Sequence, residues 1–291
     1  MLETARSPLP KAVLVGVPRS GTTSLYKYFS QHPGLCLSTV KEVNFLSYPG
    51  EQAARTDVPW LRFPVRTLDE YRALFADAGD RVPVDFSASC FRSPVAIERI
   101  REFVPDAKLF VLLRNPVGRA YSAYLNRLNK GYESRPPASA LVPGEPAVDN
   151  GFYYERISAF RTAFGADRVR VWLFDDLSRQ TEATLREMFG YLDVDDSVAV
   201  DTTEVFNRGG VPRSAAVQRL LPSYPTRRKI ADALPGPLRS GAQRLVRLNR
   251  SSAPPLPEAV ADDLRRLYAD DVHRLGDLLG RDLDHWVKAP S

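Results

Sequence analysis

Four short apolar runs set the rhythm of this chain: Ala12-Val-Leu-Val15, Val82-Pro-Val-Asp-Phe86 after Arg81, Leu109-Phe-Val-Leu-Leu113 after Lys108, and the stretch from Arg168 to Phe174. Each has the length of a strand, and the run before Gly16 reads as a strand buried on both faces. Leu35-Cys-Leu-Ser38 is a shorter strand-like piece. Between these runs the apolar spacing turns helical. Helices are predicted from Ser24 to Phe29, from Ser93 to Phe103 with Pro94 near the start, and after Pro116, which suits a first helical turn. Further helices are predicted from Phe152 to Phe164, from Thr181 to Leu192, and as an amphipathic closing helix from Leu256 to Leu279. Alternation of strand and helix over residues 11–125 predicts an α/β protein built on a parallel sheet. Residues 131–150 hold Pro136, Pro137, Pro143 and Pro146 among small residues and are expected to form a loop. Residues 203–257, mixing arginine, proline and serine, are expected to wrap the surface.

Composition narrows the function classes. At 291 residues the chain is expected to form one domain over 1–291. Hydrophobic content of 44% and charged content of 26% are those of an ordinary globular protein. The net charge of +5 suits a polyanionic ligand, but no Lys/Arg run resembles a nucleic-acid arm, so no nucleic-acid partner is expected. Cys36 and Cys90 lie outside any disulfide or metal-ligand spacing. The first ten residues lack an apolar signal-peptide core, and no stretch has the length of a membrane span, so a cytoplasmic location is the expectation.

The candidate chemistry begins at Gly16. Gly16-Val-Pro-Arg-Ser-Gly21-Thr22-Thr23 fits the frame G-x-x-x-x-G-K-[ST] of a phosphate-binding loop, with Thr22 where the lysine belongs. Strand, glycine-bearing turn and helix are the context such a loop needs, because N–H groups at the helix start face an anion. Without that lysine, and with Arg19 inside the turn, the loop is expected to hold a phosphate that is not cleaved as a γ-phosphate. The strand ending at Leu113 runs into Arg114, where a nucleotide triphosphatase would set an acidic, magnesium-holding residue. Arg114 and Ser122 form a suitable pair for a second phosphate, and no metal is expected.

These residues carry a resemblance. Pro18-Arg-Ser-Gly-Thr-Thr-Ser-Leu25 resembles the 5′-phosphosulfate loop of sulfotransferases that use 3′-phosphoadenosine 5′-phosphosulfate (PAPS). Arg114-Asn-Pro-Val-Gly-Arg-Ala-Tyr-Ser122 resembles their 3′-phosphate motif, and Lys41-Glu-Val-Asn-Phe45 is similar to the K-E-x-x-F stretch of the heparan-sulfate-type branch. The resemblance extends to Gly151–Tyr154, Val171–Leu177 and Tyr268–Trp286. It implies a P-loop-like three-layer α/β/α fold with a central parallel sheet, and a sulfotransferase of the EC 2.8.2 class, with PAPS as donor and 3′,5′-ADP (PAP) as product. It further implies that Ser20, Gly21, Thr22, Thr23 and Ser24 cradle the 5′-phosphate, and that Arg19 stabilises the leaving oxygen. The family more often has lysine at Arg19; a guanidinium stays charged and acts only electrostatically. Arg114 and Ser122 would hold the 3′-phosphate, with Arg119 assisting. Arg208 and Arg213, flanking a glycine pair, would close over the donor.

The resemblance makes Glu42 the general base. Its plain alternative is a salt bridge with Lys41. His32 is the second candidate, because the cytosolic branch uses histidine, although Gln31-His-Pro33-Gly34 reads as a turn. Lys41, Asp85, Ser87 and Ser89 are expected near the acceptor. The heparan-sulfate enzymes carry a lysine where this chain has Phe86, which argues against transferring their polysaccharide substrate. The expected acceptor is therefore a hydroxyl, with an amine second, on a small molecule or saccharide. Two alternatives stay open at this point: a nucleotide kinase or triphosphatase of the same fold, and a non-catalytic nucleotide-binding module.

Overall fold

A computed structural model of the chain describes residues 8–51, 62–203, 210–212 and 250–289. The chain groups into two compact units, one from Met1–Asn115 and Tyr154–Asn207, the other from Pro116–Tyr153 and Arg208–Ser291.

The first unit is built on five parallel strands. These are β1 (Ala12–Gly16), β2 (Leu35–Leu37), β3 (Val82–Phe86), β4 (Lys108–Leu113) and β5 (Val169–Leu173), in spatial order β2-β3-β1-β4-β5. The register sets Leu14 beside Phe86 on one side and Phe110 on the other. The apolar runs read from the sequence are these strands, and β1 and β4 are buried on both faces, as a parallel sheet covered by helices requires. One face gathers Leu14, Phe86, Phe110 and Leu112 with Leu25 and Phe29 of α1 (Thr22–Phe29). Leu185, Met188 and Phe189, on a later helix of the unit, close the same cluster. A short helix, α2 (Leu68–Ala73), was not apparent in the sequence. Thr67 and Glu70 form a reciprocal capping box at its start, which lets six residues hold a helix. Helix α3 (Ala96–Phe103) starts two residues after the expected Pro94.

The second unit opens with α4 (Pro116–Lys130), with proline at its first position as expected. The predicted loop at 131–150 instead contains two single-turn helices, α5 (Pro137–Ala140) and α6 (Pro146–Asp149). The same prolines that argued for a loop start these helices, since proline sacrifices no hydrogen bond there. In the first unit, α7 (Tyr154–Phe164), α8 (Phe174–Arg179) and α9 (Thr181–Tyr191) surround β5 in sequence. The segment expected only to wrap the surface contributes β6 (Gly210–Pro212) and β7 (Arg250–Ser252), paired antiparallel. The closing helix α10 (Glu258–Leu279) ends at Gly280, which takes the left-handed conformation. Among the described residues no helix is long and apolar enough to cross a membrane.

Candidate active site

The strand order places a topological switch at β1, between β3 and β4. In open α/β sheets ligands bind at the carboxyl ends of strands beside such a switch. Except for His32, which precedes β2, the candidates in the first unit follow or close those ends. The loop after β1 carries Arg19 to Gly21, the segment after β2 carries Lys41 and Glu42, the end of β3 carries Asp85 to Ser89, and Arg114 follows β4.

The loop after β1 has the features of an anion cradle. Gly21 precedes α1 at φ 90°, a conformation that disfavours side chains. A Cβ there would also stand 2.7 Å from the Phe174 ring. Helix α1 has no side-chain cap and no acidic residue in its first turn, so its positive end is left for another anion. Ser20 is fully buried and its hydroxyl has no partner, an arrangement that ordinarily costs free energy unless a ligand completes it. These residues fit a phosphate group. Arg19 adopts φ 76°, and the Arg114 guanidinium makes a long 3.4 Å contact with the Arg19 carbonyl.

Lys41 links this cradle to the candidate base. Its ammonium donates to Thr23 Oγ1 at 3.3 Å and to Glu42 Oε1 at 3.3 Å. The alternative foreseen for Glu42, an ion pair with Lys41, therefore exists. The Glu42 side chain nonetheless keeps 36% of its exposure, so the carboxylate stays open to solvent and to an acceptor. Glu42 and Asn44 both hold positive φ, 60° and 59°. Such conformations cost about 1–3 kcal/mol each, less for asparagine, and persist only where surroundings impose them.

Asp85, Ser87 and Ser89 are buried, and their hydrogen-bond partners are the protein's own groups. Asp85 Oδ1 accepts from Ser87 at 2.6 Å and Oδ2 accepts from the Tyr71 hydroxyl at 2.8 Å. Burial pushes the Asp85 carboxyl up to about 6; the two hydrogen bonds oppose this and the nearby Glu42 charge adds to it. Ser89 donates to Asn44 Oδ1 at 2.5 Å. Tyr71 and Asn44 were not singled out in the sequence. Asn44 sits inside the Lys41–Phe45 motif, but nothing local marks Tyr71, which arrives from α2.

His32 is spoken for. Its Nδ1 accepts from the Gly34 N–H at 3.0 Å, so Nε2 carries the proton and donates to the Asp195 carbonyl at 2.8 Å. In the second unit, Ser122 lies in α4. Arg119 is 1% exposed and donates to the Ala147 carbonyl at 2.5 Å, a partner inside its own unit. Arg208 and Arg213 lie outside the described residues.

A parallel α/β sheet with an anion loop after its central strand defines a nucleotide-type binding fold, and sequence comparison makes the class specific. Residues 10–197 match the profile of the sulfotransferase family, and the chain belongs to that family. A 158-residue stretch is 29% identical to the bifunctional heparan sulfate N-deacetylase/N-sulfotransferase 2 of Homo sapiens, covering 52% of this chain and 15% of that protein. A 168-residue stretch is 27% identical to heparan sulfate glucosamine 3-O-sulfotransferase 6 of Homo sapiens, covering 57% of this chain and 42% of that protein. The chain thus spans less than half the length of either relative. A crystal structure of a sulfotransferase from Alicyclobacillus acidocaldarius superposes with a TM-score of 0.72 at 24% identity, covering 97% of this chain and 100% of that one. That likeness is one of fold. The chemistry of the family is sulfuryl transfer from PAPS, with PAP as product.

Proposed function

We propose that this chain is a single sulfotransferase domain that moves the sulfuryl group of PAPS to a hydroxyl of a small-molecule or saccharide acceptor. The observation that carries this reading is the position of Lys41, 3.3 Å from both Thr23 and Glu42. One ammonium joins the anion loop to an open carboxylate, and sulfuryl transfer needs those two features side by side.

The donor supplies an activated sulfuryl group on a phosphate leaving group. Ser20 to Ser24 hold its 5′-phosphate with backbone N–H groups and hydroxyls, aided by the start of α1. Arg19 and Lys41 offset negative charge that grows on the leaving oxygen. Glu42 takes the proton of the acceptor hydroxyl as the new S–O bond forms. Arg114 holds the 3′-phosphate; the family resemblance gives Ser122 the same role, and gives Arg208 and Arg213, which lie outside the described residues, a part in donor binding. Asp85, Ser87 and Ser89, all buried, are moved from acceptor contact to support of the loop behind Glu42. The buried, unpaired thiols Cys36 and Cys90 accord with a cytoplasmic setting.

Thermal shift tests the reading. PAP is expected to raise the melting temperature at concentrations where ATP with magnesium does not. The reverse preference would favour a kinase or triphosphatase. Tight PAP binding without any PAP release from PAPS, across a panel of phenols, glycans and lipids, would favour a binding module.

A further inference from the structure

The turn that carries Glu42 does not hold itself. Neither Glu42 nor Asn44 is glycine, yet both are left-handed, and the end of β3 keeps them so. The Glu42 N–H donates to the Phe86 carbonyl at 3.1 Å, and the Asn44 N–H donates to Ser87 Oγ at 3.0 Å. A backbone N–H can only donate, so Ser87 must send its own proton elsewhere. It goes to Asp85 Oδ1 at 2.6 Å. The other carboxylate oxygen is fixed by Tyr71. A parallel link runs from Ser47 to Ser89 at 2.8 Å and from Ser89 to the Asn44 side chain.

Asp85 is completely buried, and among the described residues no cation pairs with it. A carboxylate in that setting is costly, and an asparagine or serine would serve packing alone at less cost. An ionised carboxylate adds an acceptor that fixes the direction of the Ser87 proton, and with it the Asn44 amide. We propose that Asp85 is a positioning residue of the transfer reaction: acting through Ser87, it fixes the left-handed turn that presents Glu42 beside Lys41 and Thr23. This inference rests on the reading of Glu42 as the base.

The test uses the full chain and three variants, Asp85→Asn, Ser87→Ala and Glu42→Gln. It has three readouts: PAP affinity by calorimetry, PAP release from PAPS with water as the acceptor, and amide hydrogen exchange at Asn44. Asp85→Asn and Ser87→Ala are expected to leave PAP affinity unchanged, to speed exchange at Asn44, and to slow release by about a hundredfold, the effect of misplacing a reacting group by about 1 Å. Release at the parent rate in either folded variant, while Glu42→Gln is slow, would overturn the positioning role. So would unchanged protection of Asn44. Should Asp85→Asn unfold, Ser87→Ala decides, because it removes only the link. Failure of the base reading shows separately, as a parent-like rate in Glu42→Gln itself.

Discussion

The guanidinium of Arg114 lies over the ring of Phe174, 5.0 Å from its centroid. The same ring fills the space that a side chain at Gly21 would need. Phe174 therefore joins the anion loop after β1 to the arginine after β4, the two groups assigned to the donor's two phosphates. A cation–π contact contributes about 0.5–2 kcal/mol. Phe174→Ala is expected to weaken PAP binding roughly two- to thirtyfold while changing AMP binding less. Arg114→Ala removes the charge itself and is expected to cost about ten- to hundredfold in PAP affinity. Calorimetry with both nucleotides measures this; a parent that binds AMP as tightly as PAP would remove Arg114 from the 3′-phosphate.

Sulfuryl transfer is expected to survive excess EDTA. The reason is positional: the strand end that would hold an acidic magnesium ligand in a nucleotide triphosphatase carries Arg114 instead. A cation at that point repels a second cation and takes over charge neutralisation. PAP release from PAPS, followed with and without chelator, is the measurement. Loss of activity that magnesium restores would return the kinase-like reading to the front.

Much of the first unit was legible because its signals are local. The strands are continuous apolar runs, and the anion loop is a contiguous motif joined to one of them. What stayed hidden depends on contacts between distant residues. Asn44 meets Ser87 across 43 positions, and Tyr71 reaches Asp85 from a short helix that was not apparent in the sequence. The family resemblance placed Asp85, Ser87 and Ser89 near an acceptor. In the fold they are buried and hydrogen-bond to one another, to Tyr71, to Asn44 and to Ser47. Prolines misled in the other direction, since Pro137 and Pro146 punctuate the chain by starting helices rather than by breaking them.

His32 is expected to matter for stability and not for chemistry. Both ring nitrogens are engaged, and the ring packs 4.5 Å from that of Phe189. His32→Ala leaves the Gly34 N–H and the Asp195 carbonyl without partners, a loss of about 1–3 kcal/mol. The melting temperature should fall while turnover per folded molecule stays within about tenfold of the parent, well short of the factor a lost general base produces. A folded His32→Ala protein without activity would make His32 the base.

Asp85 gives stability an unusual pH dependence. Its carboxyl titrates at about 6 in the folded chain against an ordinary value of 3.8, with burial the main cause. Between those values the folded protein keeps a proton that the unfolded chain has lost, so stability falls as pH rises. The contribution is fully present below 3.8 and gone above about 6, and it amounts to about 3 kcal/mol. Asp85→Asn cannot titrate. Its stability relative to the parent is therefore expected to improve from pH 4 to about pH 6 and to level off above it in urea titrations. Parallel curves for the two proteins would show that Asp85 is not held protonated by burial.

Glu42 carries the central prediction. The carboxylate is open, lies against Lys41, and stands on a turn whose conformation the end of β3 imposes. General-base catalysis typically contributes 10²–10⁴-fold. Glu42→Gln keeps the size of the side chain and its hydrogen bond from Lys41 but cannot accept a proton, so turnover is expected to fall by about that factor. PAP affinity should stay nearly unchanged, because Glu42 does not touch the phosphate cradle. Arg19→Ala should do the opposite and weaken PAP binding. The two measurements separate proton transfer from donor binding in one set of variants. If Glu42→Gln lost affinity and turnover together, the carboxylate would be acting through Lys41 to shape the donor loop, and the proton acceptor would have to be sought elsewhere.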